Sequence, residues 1–213
     1  MKNCFIRARR YLWFLVQYLL WEKPRGLDFT MRDISLYDKS GGIYHGYSKT
    51  NEKHLHAIFE RLQKKEELSL LDIGCGKGVV LKEAVKYSFK KVDGIEIQPQ
   101  LVEIAEKNFK ILGINDKIRC IRTDAVQFTQ YGNYNLFFLF NPFSEAILQT
   151  VVNKIIESRD EKNNIAIIIY HNPVFLSVFE TNAKVIKKEY LHDSLKNYDT
   201  CILSLEKLGS FAE

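Results

Sequence analysis

Hydrophobic positions follow two different periods along the chain from residue 51 onward. Apolar residues recur at helical spacing in several segments, which predicts helices over 51–67, 77–87, 99–112, 144–158 and 174–179. Between them lie strand-like segments at 69–73, 91–97, 117–123, 134–140 and 165–170. The first is a short apolar run and the last two are almost wholly apolar, which is typical of strands buried on both faces. Strands that alternate with helices predict a parallel sheet with crossover helices.

The pattern changes near the C-terminus, where two strand-like segments, 184–191 and 201–207, are separated by only a polar turn. A turn this short cannot contain a crossover helix, so the two strands are expected to form an antiparallel hairpin. The fold class predicted for residues 51–213 is therefore α/β. It is a doubly wound, seven-stranded, mostly parallel, Rossmann-like sheet with an antiparallel C-terminal hairpin.

Residues 1–50 lie outside this alternation, and we expect them to form a basic, aromatic helical extension that caps the ligand edge of the sheet. The chain has 31 basic and 26 acidic residues. Residues 1–25 contain six of the basic residues and one of the acidic residues, so the rest of the chain has 25 of each. A nucleic-acid-binding domain usually carries a basic surplus over its whole body. The balanced charge makes nucleic acid an unfavoured partner without excluding it.

Residues 11–21 form an apolar run that follows Arg7, Arg9 and Arg10. A helix of this length covers about 16 Å, too little to cross the roughly 30 Å core of a bilayer. Because no small-residue cleavage site follows the run, a signal peptide is not predicted. Two interpretations stay open: a helix packed on its own domain, or an interfacial helix in peripheral contact with a membrane. The predicted location is cytoplasmic, with membrane association as the alternative.

The four cysteines, Cys4, Cys75, Cys120 and Cys201, are widely separated in the sequence. Their spacing fits neither a CxxC pair nor a zinc-ligand set, so no metal site is predicted. So few cysteines in a chain of this size indicate reduced thiols rather than a disulfide framework.

The most specific local motif is a glycine-rich loop after the first predicted strand, with Gly74, Gly76 and Gly78 in Asp-Ile-Gly-Cys-Gly-Lys-Gly. Such a loop between a strand and a helix turns tightly and lets a ligand approach the backbone. It is not the dinucleotide fingerprint, which would require glycine where this chain has Val79. Asp72, just before the glycines, favours a ligand with a cationic or amine-bearing end.

Carboxylates also end the next two predicted strands. Glu96 lies 24 residues after Asp72, close to the spacing at which a carboxylate accepts both ribose hydroxyls. Asp124, followed by Ala125, ends the third strand, where it can accept a hydrogen bond from an adenine amino group. Either acid alone is also typical of a helix cap, but their succession at consecutive strand ends favours one shared ligand.

Residues 141–143, Asn-Pro-Phe, end the fourth predicted strand. Together with the motif of residues 72–78, Glu96 and residues 124–125, they make residues 51–213 resemble the class I S-adenosylmethionine-dependent methyltransferases. The resemblance implies that S-adenosylmethionine is the cofactor, with its methionine part on the glycine loop, its ribose on Glu96 and its adenine on Asp124. The implied cofactor-binding residues are Asp72, Gly74, Cys75, Gly76, Gly78, Glu96, Asp124, Ala125 and Asn141.

The same resemblance implies where the methyl acceptor lies. Amino-methylating members of this class carry an Asn- or Asp-Pro-Pro-aromatic segment that holds the target nitrogen, and this chain lacks one of the two prolines. Residues 44–50, Tyr-His-Gly-Tyr-Ser-Lys-Thr, are similar to a Tyr-x-Pro-Thr-type segment of small bacterial and mitochondrial methyltransferases. Some of those are protein lysine methyltransferases outside the SET class, although this chain has Ser48 and Lys49 where proline is common.

These resemblances imply N-methylation of a protein side chain with a lysine-like amine, and the implied catalytic residues are Asn141, Tyr47, Tyr44 and Phe143. A nucleobase or small-metabolite acceptor remains an alternative, as does a catalytically idle nucleotide-binding interaction module. His45 and His171 are the candidate bases, although a histidine without an identified carboxylate partner is more often structural.

Overall fold

A computed structural model describes residues 12, 15–31, 47–62, 67–160, 165–195 and 198–206. Seven strands form one sheet: β1 (Ser69–Ile73), β2 (Lys91–Glu96), β3 (Arg119–Arg122), β4 (Leu136–Phe140), β5 (Ile165–His171), β6 (Lys184–Asp193) and β7 (Tyr198–Glu206). Their order across the sheet is β3-β2-β1-β4-β5-β7-β6.

The first five strands are parallel, and β7 is antiparallel to both β5 and β6. This confirms the predicted fold class. The strand order reverses at β1, because β2 lies on one side of it and β4 on the other. In open α/β sheets, ligands bind in the crevice outside the carboxyl ends of the strands at such a reversal.

Five α-helices accompany the strands in the described parts of the chain: α1 (Glu52–Leu62), α2 (Val79–Ala84), α3 (Pro99–Leu112), α4 (Glu145–Glu157) and α5 (Ser177–Asn182). A single 3-10 turn, Tyr131–Asn133, precedes β4. Nearer the N-terminus, residues 15–17 are helical, and a π-helical stretch (Tyr18–Glu22) and a 3-10 turn (Lys23–Arg25) follow.

Several element boundaries differ from the sequence-based ones. Helix α2 begins two residues later than predicted, because Gly78 precedes it in the left-handed conformation (φ 84°). Helix α5 begins three residues later than predicted. The hairpin strands are longer than predicted, since β6 runs to Asp193 and β7 starts at Tyr198.

The central strands are buried on both faces, which explains their nearly continuous apolar runs. Leu71 of β1 and Phe137 of β4 lie in one hydrophobic cluster, whereas Leu70 and Phe138 lie in the cluster on the other face. The sheet therefore lies between two packed hydrophobic layers.

A charged network lies near the amino end of β2. The Asp93 carboxylate accepts hydrogen bonds from Arg119 Nη2 and from the Tyr134 hydroxyl, both at 2.6 Å, and lies 3.1 Å from Lys91 Nζ. Burial acts to raise the pKa of Asp93, but the hydrogen bonds from Arg119, Tyr134 and Lys91 lower it overall. This carboxylate is a fully partnered structural group.

Candidate active site

A cavity of about 220 Å³ opens at the carboxyl ends of β1, β2 and β4, where the strand order reverses. Ten of the residues predicted to bind the cofactor or the acceptor line it: Tyr47, Asp72, Gly74, Cys75, Gly76, Glu96, Asp124, Ala125, Asn141 and Phe143. Positions as far apart in sequence as 47 and 143 therefore meet at one edge of the sheet.

The glycine loop is shaped by close neighbours. Gly74 and Gly76 have positive φ angles of 81° and 53°, which L side chains rarely adopt. A β-carbon at Gly76 would lie 2.5 Å from Cδ2 of Tyr47, and one at Gly74 would lie 3.2 Å from Cβ of Pro142. A side chain at Gly76 would therefore collide with Tyr47, whereas one at Gly74 would be crowded by Pro142 and disfavoured by the positive φ angle.

One residue predicted to bind the cofactor does not contribute to this cavity. Gly78 does not line it. The ring of Phe109 occupies the space that a Gly78 side chain would need, so this glycine serves the packing of the loop on α3. Tyr44 and the candidate base His45 lie outside the described residues.

Asp72 is buried at 2% exposure, and its Oδ2 has no hydrogen-bond partner among the described residues. Burial, and then the negative charge of Glu96, raise the pKa of Asp72 well above its usual value. An unpartnered buried carboxylate is costly unless a ligand satisfies it.

Glu96 is tied to the loop by its own hydrogen bonds. Its Oε2 accepts from the Gly76 N–H and its Oε1 from the Gln98 N–H, both at 3.0 Å. Burial raises the pKa of Glu96 overall, although these backbone donors act to lower it. Glu96 therefore positions the loop, and its carboxylate can still accept a hydrogen bond from a ligand hydroxyl.

Asp124 is partly exposed at the end of β3, and its Oδ1 accepts a hydrogen bond from the Val126 N–H at 2.8 Å. This contact is the turn-forming role that such a residue often has. The other carboxylate oxygen remains able to accept from an amino group in the cavity.

Asn141 has an unusual backbone conformation, with φ 37°. Its side-chain oxygen accepts a hydrogen bond of 2.9 Å from the Tyr170 hydroxyl. Burial raises the pKa of Tyr170 to about 12, so the phenol keeps its proton at neutral pH and can donate it. Tyr170 lies on β5, and its role was not visible in the sequence because the register of β4 and β5 was unknown.

Aromatic side chains form the outer wall near Asn141. Phe140 and Tyr198 both line the cavity, with ring centroids 5.6 Å apart. Phe143 also lines it but is only 5% exposed and packs in the hydrophobic core. Sequence reasoning missed Tyr198 because it lay in the predicted turn of the C-terminal hairpin.

His171 is fully buried, and its Nδ1 lies 2.7 Å from the Thr200 hydroxyl. Its ring packs edge-on against Phe140, with centroids 4.4 Å apart, and it is not among the residues that line the cavity. This position supports a structural role rather than the role of a base.

The segment of residues 26–31 holds the glycine loop from the N-terminal side. Lys77, within the loop, is 1% exposed, and its Nζ donates to Asp28 Oδ2 at 2.6 Å and to the Met31 carbonyl at 2.8 Å. The Tyr47 hydroxyl donates to the Phe29 carbonyl at 2.5 Å. Neither Lys77 nor Asp28 was recognised from the sequence, because their pairing is a long-range contact.

A family model for ribosomal RNA adenine dimethylases matches residues 48–174, more than half of the chain. The chain belongs to this family. The match covers the glycine loop, all three cavity carboxylates and Asn141. It confirms the class I S-adenosylmethionine-dependent methyltransferase predicted from the motifs.

The chain is also similar to individual relatives. It is 28% identical to an rRNA adenine N-6-methyltransferase of Streptococcus sanguinis, over 50% of this chain and 42% of that protein. It is 32% identical to a ribosomal protein L11 methyltransferase of Trichlorobacter lovleyi, over 30% of this chain and 21% of that protein. The chain thus spans less than half the length of these two curated relatives, whose names indicate different classes of acceptor.

The fold is shared with an RNA methyltransferase from Salinibacter ruber that was solved in complex with S-adenosyl-L-homocysteine. The TM-score is 0.58 at 17% identity, with 78% of this chain and 98% of that chain covered. At this level of identity the likeness shows the fold.

The cavity of this family member fits S-adenosylmethionine. Asp72 Oδ2 can accept from the ammonium group of the methionine part, Glu96 from ribose hydroxyls, and Asp124 from an adenine amino group. No lysine or arginine is among the described residues that line the cavity, which suits a ligand with a positive sulfonium.

Proposed function

We propose that this methyltransferase transfers a methyl group to a nitrogen atom, and that the nitrogen is an amine on a protein side chain. The observation that carries this proposal is the setting of Asn141. Its amide oxygen is held by Tyr170 at the end of a cavity with aromatic walls and no described lysine or arginine in its lining. A hydrogen-bond acceptor in such a place suits a neutral amine.

Bound S-adenosylmethionine supplies an electrophilic methyl group on a positively charged sulfur. The chain has to hold the acceptor nitrogen about 3–3.5 Å from that carbon and in line with the bond that breaks. The amide oxygen of Asn141 is a hydrogen-bond acceptor for an N–H of the substrate, and the bond from Tyr170 fixes its direction.

The acceptor must arrive as a neutral amine, because an ammonium group has no lone pair. Phe140, Tyr47 and Tyr198 line the cavity and exclude water from the acceptor. Desolvation disfavours the ammonium form and lowers the pKa of an amine. The N–C bond then forms as the C–S bond breaks, and the positive charge passes from sulfur to the acceptor nitrogen.

An adenine amino group in RNA is the second candidate acceptor. The family match and the rRNA-modifying relative support it. The charge distribution supports the protein acceptor instead, since residues 26–213 carry 25 basic and 25 acidic groups. A domain that binds RNA along its phosphates normally has a basic surplus.

Labelled methyl transfer distinguishes the two acceptors. The purified protein is incubated with S-adenosylmethionine tritiated on the methyl group and a lysate of the cells that produce the protein. One half of the labelled product is then digested with a protease and the other half with a ribonuclease. We expect the protease to release the label and mass spectrometry to find a methylated lysine. Label released by ribonuclease alone would contradict the protein acceptor and favour adenine.

Two matched variants test the role of Asn141. Asn141 and Asn172 both line the cavity with positive φ angles of 37° and 53°, and glycine tolerates that conformation at either position. We expect Asn141→Gly to reduce transfer by about 100-fold while its affinity for S-adenosylhomocysteine stays within about three-fold. Asn172→Gly should retain transfer. Equal losses of methyl transfer in both variants would show that Asn141 has no specific role in the reaction.

A further inference from the structure

The N-terminal helical segment carries an apolar face that is open to solvent. Leu12, Val16, Leu19 and Leu20 are spaced so that they fall on one face of a helix. They are 62%, 45%, 48% and 71% exposed, respectively. Single exposed apolar residues are normal, but a contiguous group of this kind marks an interaction surface.

The same segment is fixed to the domain by a buried acid. Glu22 is 0% exposed, and its Oε2 accepts hydrogen bonds from the N–H groups of Phe29 at 3.0 Å and Thr30 at 2.8 Å. Its Oε1 lies 3.2 Å from Lys49 Nζ. Because these contacts anchor the end of the helix, the apolar face is held outward by the fold.

The sequence of this segment is basic. Glu22 is the single acid in residues 1–25, and its charge is buried against Lys49. Lys23 and Arg25 are exposed next to Trp21, and the Arg25 guanidinium lies 5.5 Å from the Trp21 ring centroid. Lys2, Arg7, Arg9 and Arg10 precede the segment in the sequence. The segment therefore combines an exposed apolar face with a basic sequence, of which Lys23 and Arg25 are exposed in the structure.

We propose that this helix face docks on an anionic lipid surface. Helices that lie in a membrane interface have an apolar face, basic residues and tryptophan at the boundary. The described residues provide the apolar face, the exposed Lys23 and Arg25, and Trp21 with 36% exposure. None of the helices that the structure describes is long and apolar enough to cross a membrane. RNA would use the basic residues but leave the four apolar side chains exposed, and a second copy of the chain would bring like charges together.

Vesicle sedimentation tests the docking directly. The full-length protein is mixed with vesicles of phosphatidylcholine alone, or with about 30% phosphatidylglycerol added, at low salt and at about 0.5 M salt. The variant Leu19→Gln/Leu20→Gln removes half of the apolar face without adding charge. Its matched control is Ile186→Gln, since Ile186 is an apolar residue of β6 with 44% exposure.

We expect the wild type and Ile186→Gln to sediment with the anionic vesicles and to bind phosphatidylcholine alone at least ten-fold more weakly. The Leu19→Gln/Leu20→Gln variant should lose about ten-fold or more in affinity for the anionic vesicles. High salt should weaken binding of the wild type. Circular dichroism and S-adenosylhomocysteine binding of the variant should be unchanged, which separates this proposal from the activity of the cavity.

Three outcomes would overturn the proposal. The wild type could fail to bind anionic vesicles, or the double variant could bind them as well as the wild type does. Light scattering could also show a dimer that the double variant dissociates, with no vesicle binding by the wild type. That last result would identify a second copy of the chain as the partner of this face.

Discussion

Asp72 and Asp93 lie on neighbouring strands of the sheet and are similarly buried, at 2% and 3% exposure, but their surroundings differ completely. Asp93 is held by Arg119, Tyr134 and Lys91, and its pKa is lowered overall. Asp72 has one oxygen without a partner among the described residues, and its pKa is raised by burial and by Glu96.

The comparison distinguishes a carboxylate whose hydrogen-bond partners come from the fold from one that we propose is completed by a ligand. A buried charge is stable only when it is paired and hydrogen-bonded. The fold supplies these partners for Asp93. For Asp72, we propose that a ligand of the cavity supplies the missing partner.

The largest expected effect is on cofactor binding by Asp72→Asn. Hydrogen bonds to charged groups contribute about 3 kcal/mol at most, so affinity for S-adenosylhomocysteine should fall by up to about 100-fold. The free energy of unfolding at pH 7 should be equal to or higher than that of the wild type, because a buried unpartnered charge is removed. Calorimetric titration and urea denaturation measure the two quantities. Unchanged affinity would remove Asp72 from the site.

Asp93→Asn should give the opposite result. The charge that organises Arg119 and Lys91 is lost, and the free energy of unfolding should fall by about 1–2 kcal/mol. The affinity for S-adenosylhomocysteine should stay within about two-fold of the wild type, because the network does not line the cavity. A loss of affinity as large as that of Asp72→Asn would show that the two ends of the sheet are not independent.

The contributions of Asp72 and Asp93 to the free energy of unfolding should also depend on pH with opposite signs. Asp93, with its lowered pKa, stabilises the protein above the unfolded pKa of about 4, and this contribution is lost as the pH falls through the folded value. Asp72, with its raised pKa, binds a proton in the folded state before it does in the unfolded state. Its ionised form therefore disfavours folding at neutral pH.

Urea denaturation between pH 3 and 7 resolves these contributions. The stability difference between Asp72→Asn and the wild type should shrink as the pH falls from 7 toward about 4. The difference between Asp93→Asn and the wild type should persist over that range and shrink only below about pH 4. Parallel curves for the two variants would contradict the assigned environments.

The smallest effect is expected for Arg119→Gln. The Arg119 side chain is 59% exposed, so solvent screens its ion pair with Asp93. Since Tyr134 and Lys91 still hold Asp93, we expect a loss of less than about 1 kcal/mol in the free energy of unfolding. A loss greater than that of Asp93→Asn would mean that Arg119 has a further structural role.

The sheet was predictable because its strands are short, apolar and separated by helices with clear periodicity. The carboxylates at the ends of β1, β2 and β3 were also predictable, since parallel strands bring their carboxyl ends to one edge. The role of Asn141 was implied by the resemblance of residues 141–143 to the acceptor-binding segment of amino-methylating enzymes. Each of these residues lies at or directly after the end of a predicted strand in the sequence, so the end of that strand determines where the residue lies.

The residues that were missed depend on long-range contacts. Tyr170 reaches Asn141 only in the observed register of β4 and β5, and Lys77 reaches Asp28 across 49 positions of sequence. Cys75 and Cys120 were separated in the sequence, yet their Sγ atoms lie 3.4 Å apart because the loop after β1 packs beside β3. Sequence periodicity carries no information about such pairs.

The central claim is that the cavity at the carboxyl edge is a site for S-adenosylmethionine. Calorimetric titration of the purified protein with S-adenosylhomocysteine, and in parallel with NAD, tests it most directly. We predict saturable binding of one S-adenosylhomocysteine per chain, with a micromolar dissociation constant, and no binding of NAD. The absence of S-adenosylhomocysteine binding, or equal binding of NAD, would contradict the account.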